Sequence, residues 1–211
     1  MKNDKKNLIL QAACAAFTES GYEKSSIESI SRRAGVAQGL ARYHFVNKET
    51  LYFNALLSVM TGLRDQLQRD VGALSLDMRE TTKEFVRSYM AFTSDISTSY
   101  AMVYREPPFA MLSNPEHMSA LAALSLEIVQ ILAGKLSTNK DPKAVLRLAA
   151  YVVTSLHGVQ RARFSAVYRE LVDIDELADF FAGAVQSMMG EDCEDRIFDQ
   201  TSLSNPVRGC K

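Results

Sequence analysis

The sequence predicts an all-α protein, and three observations support that prediction. No proline occurs before Pro107, and the glycines stand mainly where a helical pattern ends. No segment alternates apolar and polar residues at the period of a β-strand. Helix start signals recur along the chain: residues 25–28 have the spacing of a capping box, and Asn114-Pro115 and Asp141-Pro142 each place a capping residue before a proline.

Each element follows from such a signal and from apolar residues spaced three and four positions apart. We expect about nine helices, near residues 4–20, 26–33, 37–44, 47–72, 78–95, 98–106, 115–137, 142–169 and 174–190. The chain has 211 residues, 47% of them hydrophobic, so it can bury a sizeable core. We divide it into a head at 1–46, a larger helical domain at 47–190 and a tail at 191–211.

Composition excludes several classes of protein. The 24 basic residues are balanced by 25 acidic ones, so the chain is no general polycation. Its longest stretch without a charged residue, 148–160, is shorter than the roughly 18 residues of a membrane-spanning helix, so we expect a soluble protein that binds no membrane. Cys14, Cys193 and Cys210 form neither a disulfide framework nor a metal-ligand spacing, which favours a reducing cytoplasm and leaves any redox role open.

Charge is distributed unevenly between the two ends of the chain. Residues 1–50 carry eight Lys or Arg against five Asp or Glu, a net charge of +3, whereas the remainder is negative. The short helices predicted at 26–33 and 37–44 lie in this basic part, separated by Ala34-Gly35-Val36. Two short helices joined by a glycine-containing turn are typical of a helix-turn-helix, whose second helix enters the major groove of DNA.

The same region contains a longer pattern of apolar, glycine and aromatic residues. It reads Ile9-x2-Ala12-Ala13-x3-Phe17-x3-Gly21-Tyr22-x3-Ser26-Ile27-x2-Ile30-x3-Ala34-Gly35-Val36-Ala37-x-Gly39-x3-Tyr43-x-Phe45-x2-Lys48-x2-Leu51. This pattern resembles the tetracycline-repressor (TetR) family of bacterial transcription regulators over about residues 8–55. The resemblance implies a three-helix DNA-binding domain followed by a helical domain for dimerisation and ligand binding. It further implies a palindromic double-stranded DNA operator, released when a small molecule changes the angle between two heads.

The residue chemistry of the short helices supports DNA binding independently. Apolar residues of the head can close a small core, and they are Leu10, Ala13, Phe17, Ile27, Ile30, Ala34, Val36 and Phe45. Gln38, Arg42, Tyr43 and His44 then supply groups for base edges, thymine methyls or phosphates. Gly39 costs helix stability, which suggests that the backbone approaches DNA closely there.

Two residues outside this helix are expected to contact phosphate. Ser26 begins one helix, and the resemblance implies a phosphate contact for Lys48 in the first turn of another. The chain also departs from the family pattern. Ala37 stands where serine is common, Ala41 is smaller than the usual aliphatic residue, and Arg42 replaces a common tyrosine, so we expect an altered operator sequence.

The last two long helices are expected to form a homodimer. Helix 142–169 has two apolar stripes, and packing against the rest of its own chain needs only one, so the other is free to contact a second subunit. One stripe consists of Val145, Ala149, Val152, Leu156 and Val159, and the other of Leu148, Tyr151, Ser155, Gly158 and Ala162. Helix 174–190 has a stripe of Ile174, Leu177, Phe181, Val185 and Met188. We predict a four-helix interface with two helices from each subunit; the alternative is that these stripes are ordinary internal core.

Between the head and these helices, Met, Tyr and Phe residues suit an adaptable apolar pocket with a few polar anchors. The candidate ligand-binding residues are Met60, Leu63, Tyr89, Phe92, Tyr104, Phe109, Met118, Leu121, Tyr151, Ser155, His157 and Arg161. Arg105, Arg161 and Arg163 could pair with an anionic effector or with nearby acids. The effector is unidentified.

Three other functions compete with this prediction. An enzyme is disfavoured, because the chain lacks GxSxG, HExxH and a glycine-rich phosphate loop, and its histidines, His44, His117 and His157, are scattered. We expect no cofactor, no metal and no catalytic residue. A helical ligand-binding module without DNA function would lack the basic head. An activator or effector-independent regulator of the same fold remains the alternative to a repressor.

Overall fold

The computed structural model describes residues 2–73, 77–95, 99–104, 109–136, 140–163 and 166–190, with the side chains of 2–3, 109–110 and 166–167 excluded. Within these ranges the regular structure is entirely helical, which confirms the predicted all-α class. The helices are α1 (Lys2–Lys24), α2 (Ile27–Arg33), α3 (Gln38–His44), α4 (Lys48–Leu67), α5 (Met78–Ser94), α6 (Phe109–Leu112), α7 (Pro115–Ala133), α8 (Pro142–Arg163), α9 (Ala166–Arg169) and α10 (Ile174–Gly190).

Helices α1 to α3 form the head, and its core is close to the predicted one. Of the eight predicted core residues, Ala13, Phe17, Ile27, Ile30 and Phe45 are buried, while the other three are half-buried and pack against them. Those three are Leu10, Ala34 and Val36. Gly21 interrupts α1 with a φ of 79°, so its regular part ends at residue 20, as predicted.

Aromatic rings join the head to the rest of the chain. The ring of Phe17 on α1 lies 4.9 Å, edge-on, from that of Tyr52 on α4, and both rings contact Tyr22. Buried apolar residues continue from this point into α5, α7, α8 and α10 as one cluster. The predicted domain boundary at residue 46 lies between α3 and α4, and the hydrophobic core is continuous across it.

Several predicted helix limits were wrong. Helix 115–137 ends at Ala133, whereas the predicted end of helix 47–72 is confirmed, because α4 continues beyond Leu67 as a π-helix over Gln68–Gly72. In place of helix 98–106 the structure has one 3-10 segment, Tyr100–Tyr104, preceded by Ser99 at a φ of 57°, a conformation that cannot continue an α-helix. Of the predicted helix 142–169, the structure describes α8 to Arg163 and α9 from Ala166, and residues 164–165 lie outside the described part; α6 was not predicted.

Helix α10 packs along α5 through a buried face. That face consists of Ala178, Phe181, Ala182, Val185 and Met189. Ion pairs border it: Asp179 Oδ1 is 2.8 Å from Lys83 Nζ and 3.0 Å from Arg79 Nη2, and Asp175 Oδ1 is 2.8 Å from Arg87 Nε. These contacts fix the orientation of α10, and hence the direction of its outer face.

Helix α7 is the one described helix that is long and apolar enough to cross a membrane by length and composition. Leu124, Ile128 and Leu132 of this helix are buried inside the protein, and about a third of its most apolar 18-residue stretch is buried. Arg64 on α4 pairs with Glu127 in its middle. These contacts are those of a helix packed within a globular protein.

Cys14 is a buried core residue. Its Sγ donates to the backbone carbonyl of Ala55 at 3.6 Å, and burial raises the pKa of the thiol to about 12. Because the thiolate is the nucleophilic form, this cysteine has a structural role at neutral pH.

Candidate functional site

The turn between α2 and α3 has a defined hydrogen-bond pattern. The Val36 N–H donates to the carbonyl of Ser31 at 3.0 Å, and the Gly35 N–H donates to that of Arg32 at 3.2 Å. These two bonds form a Schellman motif, which requires a left-handed residue, and Gly35 has a φ of 65°. The glycine predicted to mark the helix-turn-helix therefore sets the angle at which α3 leaves α2.

Helix α3 has one buried and one exposed side. Ala41 is fully buried and Phe45, just past the helix end, is nearly so. Leu40 is partly buried on the same side. The small side chain at 41 lets α3 lie close against the rest of the head. Ala37 begins the helix without a side-chain capping bond, as expected where serine is absent.

Four predicted DNA-binding residues form the exposed side of α3. They are Gln38, Gly39, Arg42 and Tyr43. Residues four positions apart lie one above the other on a helix, so Gln38 aligns with Arg42, and Gly39 aligns with Tyr43 beside them. Tyr43 is 66% exposed. Arg42 is exposed and forms no ion pair or hydrogen bond with any residue that the structure describes. The structure thus brings together a polar surface with an unengaged guanidinium at its centre.

His44 lies differently from these four. It is half-buried between the rings of Tyr43 and Phe45, with centroids 5.3 and 6.2 Å away, and its Nε2 is inaccessible to solvent. That nitrogen has no hydrogen-bond partner among the described residues. A base contact by His44 would need another rotamer.

Ser26 and Lys48 each begin a helix of the head or its neighbour. The Ser26 hydroxyl accepts from the Ser29 N–H at 3.0 Å, which completes a capping box. Lys48 Nζ donates to the Tyr22 carbonyl at 3.0 Å and lies 4.0 Å from the centre of the Tyr22 ring. An ammonium has three donors, so Lys48 can bind phosphate while this contact holds it in place.

Gly39→Ala is expected to raise stability and weaken DNA binding. A Cβ at position 39 meets no atom within 4 Å, so the change relieves glycine's helix penalty, about 1 kcal/mol, without a clash. The same methyl group stands on the exposed side of α3, where DNA would approach. Denaturation and DNA-binding titrations should therefore move in opposite directions. Gly190→Ala, also in open space but at the far end of α10, is the control; equal affinity of Gly39→Ala and the parent would show that this backbone stays away from DNA.

The candidate ligand residues divide into two groups. Seven lie in or against the internal core: Met60, Leu63, Tyr89, Phe92, Tyr104, Leu121 and His157. Four are exposed on outer surfaces: Met118, Tyr151, Ser155 and Arg161. The structure does not bring these four together with the interior group, because they project from the outer sides of α7 and α8. The Phe109 side chain and Arg105 lie outside the described residues.

Three tyrosines are the polar part of the interior group. The rings of Tyr100 and Tyr104 lie 5.5 Å apart between centroids, with Tyr89 beside them, and burial raises the pKa of each hydroxyl above its usual value. The Tyr104 ring lies 4.7 Å from that of His157, whose pKa is lowered by burial and by Arg161. The cluster is therefore neutral near pH 7. Tyr100 was not among the predicted residues, because nothing in its sequence context separates it from its neighbours.

The outer faces of α8 and α10 leave apolar residues uncovered. On α8, the stripe containing Val145, Ala149, Val152 and Leu156 is internal core, whereas Tyr151, Ser155 and Gly158 face outward. On α10 the residues of the predicted stripe divide between a buried and an exposed face. Phe181 and Val185 are buried against α5, and the outward residues are Phe180, 68% exposed, and Met188.

Comparison with known proteins places these features in context. Residues 9–55 match the family model of bacterial regulatory proteins of the tetR family. The chain is 36% identical over 69 residues to an uncharacterized HTH-type transcriptional regulator, YhgD, of Bacillus subtilis (strain 168), covering 31% of this chain and 36% of that protein. It is 24% identical over 136 residues to the fatty acid metabolism regulator protein of the same organism, covering 64% of each. The chain thus spans between a third and two thirds of these relatives.

The whole fold also resembles solved structures. The transcriptional regulator FadR from Bacillus subtilis, in complex with stearoyl-CoA, superposes with a TM-score of 0.65 at 17% identity. The superposition covers 85% of this chain and 97% of that one. At this identity the likeness concerns the fold, which extends through α4 to α10 and beyond the matched head.

Proposed function

Because this chain belongs to the TetR family of bacterial regulatory proteins, we propose that it is a sequence-specific DNA-binding transcription regulator. In this proposal it is a cytoplasmic homodimer that represses transcription from a palindromic operator and releases it when a small molecule binds within residues 47–190. The observation that carries the proposal is the exposed side of α3, where Gln38, Gly39, Arg42 and Tyr43 face outward over a buried Ala41. Such a helix fits the major groove.

Contacts between the head and the larger domain support effector control. The Thr18 hydroxyl on α1 donates to the carbonyl of Ser99 at 3.1 Å. His117 on α7 stacks on Phe53 of α4 at 3.9 Å, and its Nδ1 is 3.8 Å from a Glu49 carboxylate oxygen. A ligand that favours one arrangement of α7 or of residues 99–104 would therefore also favour one position of α1 and α4, and with them of α3.

Dimerisation is proposed through the outer faces of α8 and α10. Tyr151 and Phe180 expose large apolar side chains there, and Ser155 and Gly158 are small enough to let a second helix approach. Two heads are needed because one helix-turn-helix contacts few base pairs, and a two-fold dimer reads half-sites about 34–36 Å apart.

Selection of bound duplexes from a genomic DNA pool tests the proposal. We expect enrichment of a palindromic site. Lys48→Ala should weaken binding to all DNA sequences, since this residue is proposed to contact phosphate. It should also reduce the slope of log affinity against log salt concentration by roughly one, the share of one released counterion. Lys143→Ala removes an exposed lysine at the start of α8 and should have no effect. A folded dimer that enriches no sequence, with or without candidate ligands, would contradict the proposal and favour a helical ligand-binding module.

Arg42→Ala is expected to cost about 1–3 kcal/mol of operator binding and to relax the preference at one base pair in each half-site. The reason is that the Arg42 guanidinium lies on the exposed side of α3 without a partner among the described residues, so it can donate to a base edge. The measurement compares affinities for the selected operator and its single-base variants. Equal weakening on operator and random DNA would instead assign Arg42 to phosphate.

In vitro transcription from the selected operator distinguishes repression from activation. We expect fewer transcripts with the regulator present. More transcripts would support the activator of the same fold.

A further inference from the structure

Two guanidinium groups at the end of α8 lack a carboxylate partner among the residues that the structure describes. Arg161 is exposed and forms no ion pair or hydrogen bond with them. Arg163 donates only to neutral groups, from Nη1 to the Ser94 hydroxyl at 3.1 Å and to Gln160 Oε1 at 3.4 Å. The alternative that nearby acids pair with these arginines is therefore not realised in the described part of the chain.

The neutral contacts fix the Arg163 guanidinium. Gln160 is only 3% exposed, and its Nε2 donates to the same Ser94 hydroxyl at 3.1 Å. Ser94 ends α5, so this triangle of side chains joins α5 to α8. Since both contacts use Nη1, they restrain the plane of the guanidinium from one side.

The opposite edge of the guanidinium has no acceptor among the residues that the structure describes. Arg163 Nε is inaccessible to solvent, and neither Nε nor Nη2 donates a hydrogen bond to any residue that the structure describes. Nε–H and Nη2–H point in parallel along one edge, which is the edge that binds the two oxygens of a carboxylate or phosphate. A buried donor of this kind is costly to leave unpaired, so an acceptor is expected in the functional state.

We propose that this edge of Arg163 binds an oxyanion, a carboxylate or a phosphate, of the effector. The inference rests on the proposed function, in which a small molecule binds within residues 47–190.

The neighbouring side chains indicate where the rest of the ligand would lie. His157, Gln160 and Arg163 follow one another at intervals of three residues on α8, a span of about 9 Å along the helix axis. At its far end His157 contacts Tyr104 of the buried tyrosine cluster, at 4.7 Å between rings. The ligand class that fits is an amphiphile with an apolar body beside this cluster and an anionic group at Arg163.

Binding of three probes to the full-length protein, measured without DNA by calorimetry, tests the assignment. The probes are myristate, myristoyl-CoA and uncharged 1-tetradecanol. Arg163→Gln is expected to weaken binding of at least one anionic probe tenfold or more and to leave tetradecanol unchanged. Arg163→Lys keeps the charge but lacks the paired donors, so its affinity for that anionic probe should lie between those of the parent and Arg163→Gln. Arg169→Gln is the matched control, because the Arg169 guanidinium is exposed on α9 and forms no ion pair or hydrogen bond with any residue that the structure describes.

The pattern of binding identifies the source of the oxyanion. If Arg163→Gln loses affinity only for myristate, the oxyanion is a carboxylate. If it loses affinity only for myristoyl-CoA, the oxyanion is a phosphate. Inorganic phosphate, titrated against chloride at equal ionic strength, should raise the melting temperature of the parent more than that of Arg163→Gln.

Three results would overturn the assignment. One is an equal loss of all three probes in Arg163→Gln, which would make the residue only a clamp between α5 and α8. Unchanged binding of both anionic probes in that variant is another. The third is that neither anionic probe nor phosphate acts on the parent. Operator selection is a separate assay, so failure of the regulator proposal and failure of the anion site give different results.

Discussion

Phe180→Glu is expected to convert the protein to a monomer and to weaken operator binding by about 100-fold or more, because simultaneous binding of two half-sites is lost. Phe180 is 68% exposed on α10, so within one chain the substitution should cost little beyond the edge-on contact of its ring with the Phe181 ring, 5.4 Å between centroids. In the proposed dimer, however, it would bury a carboxylate at an apolar interface, which is strongly unfavourable. Analytical ultracentrifugation at micromolar concentration gives the oligomeric state, and titration with operator DNA gives the affinity.

Leu126→Glu is the matched control for this prediction. Leu126 is also an exposed apolar residue in the middle of a long helix, but it lies on α7, outside the proposed interface. It should remain a dimer with unchanged operator affinity. If Phe180→Glu stays dimeric, the interface lies elsewhere. If the parent protein is a monomer, the proposed dimer does not exist.

Phe17→Ala is expected to lower the free energy of unfolding by about 3–5 kcal/mol, as is usual for truncation of a buried phenylalanine. The ring is fully buried and contacts Tyr22 and Tyr52, so its loss opens a cavity where the head meets α4. Operator affinity should fall as well, because α1 supports the helix-turn-helix. Urea denaturation at a fixed protein concentration measures the effect, since dimerisation makes stability depend on concentration.

Leu8→Ala provides the comparison on the same helix. Leu8 is 41% exposed, so its truncation should cost well under about 1 kcal/mol. A loss of similar size in both variants would mean that the Phe17 ring does not carry the junction between head and larger domain.

The sequence predicted the head closely because its signals are local. A left-handed glycine at 35, apolar residues at helical spacing and a polar helix at 37–44 each reflect contacts within a few turns of chain. The structure confirms them with a Schellman turn and a helix from Gln38 to His44. His44 was less predictable, since whether a histidine at the end of a short helix faces outward depends on how the adjacent rings pack.

The larger domain shows the limits of periodicity. Phe180 and Phe181 are adjacent and equally apolar, so an apolar stripe can be drawn through either one. Only the packing of α10 on α5 decides that Phe181 is buried and Phe180 exposed.

By itself, the sequence determined the helical class, the position of the helix-turn-helix and the side of α3 that carries Gln38 and Arg42, since these depend on residues close together in the chain. Tertiary structure decided which faces of α8 and α10 remain uncovered. It also decided that Ser94 and Gln160 fix Arg163, whose other edge has no partner in the described part of the chain. The physical reason is that α5 and α8 are distant in sequence, and only their packing brings Ser94 within hydrogen-bonding distance of Arg163.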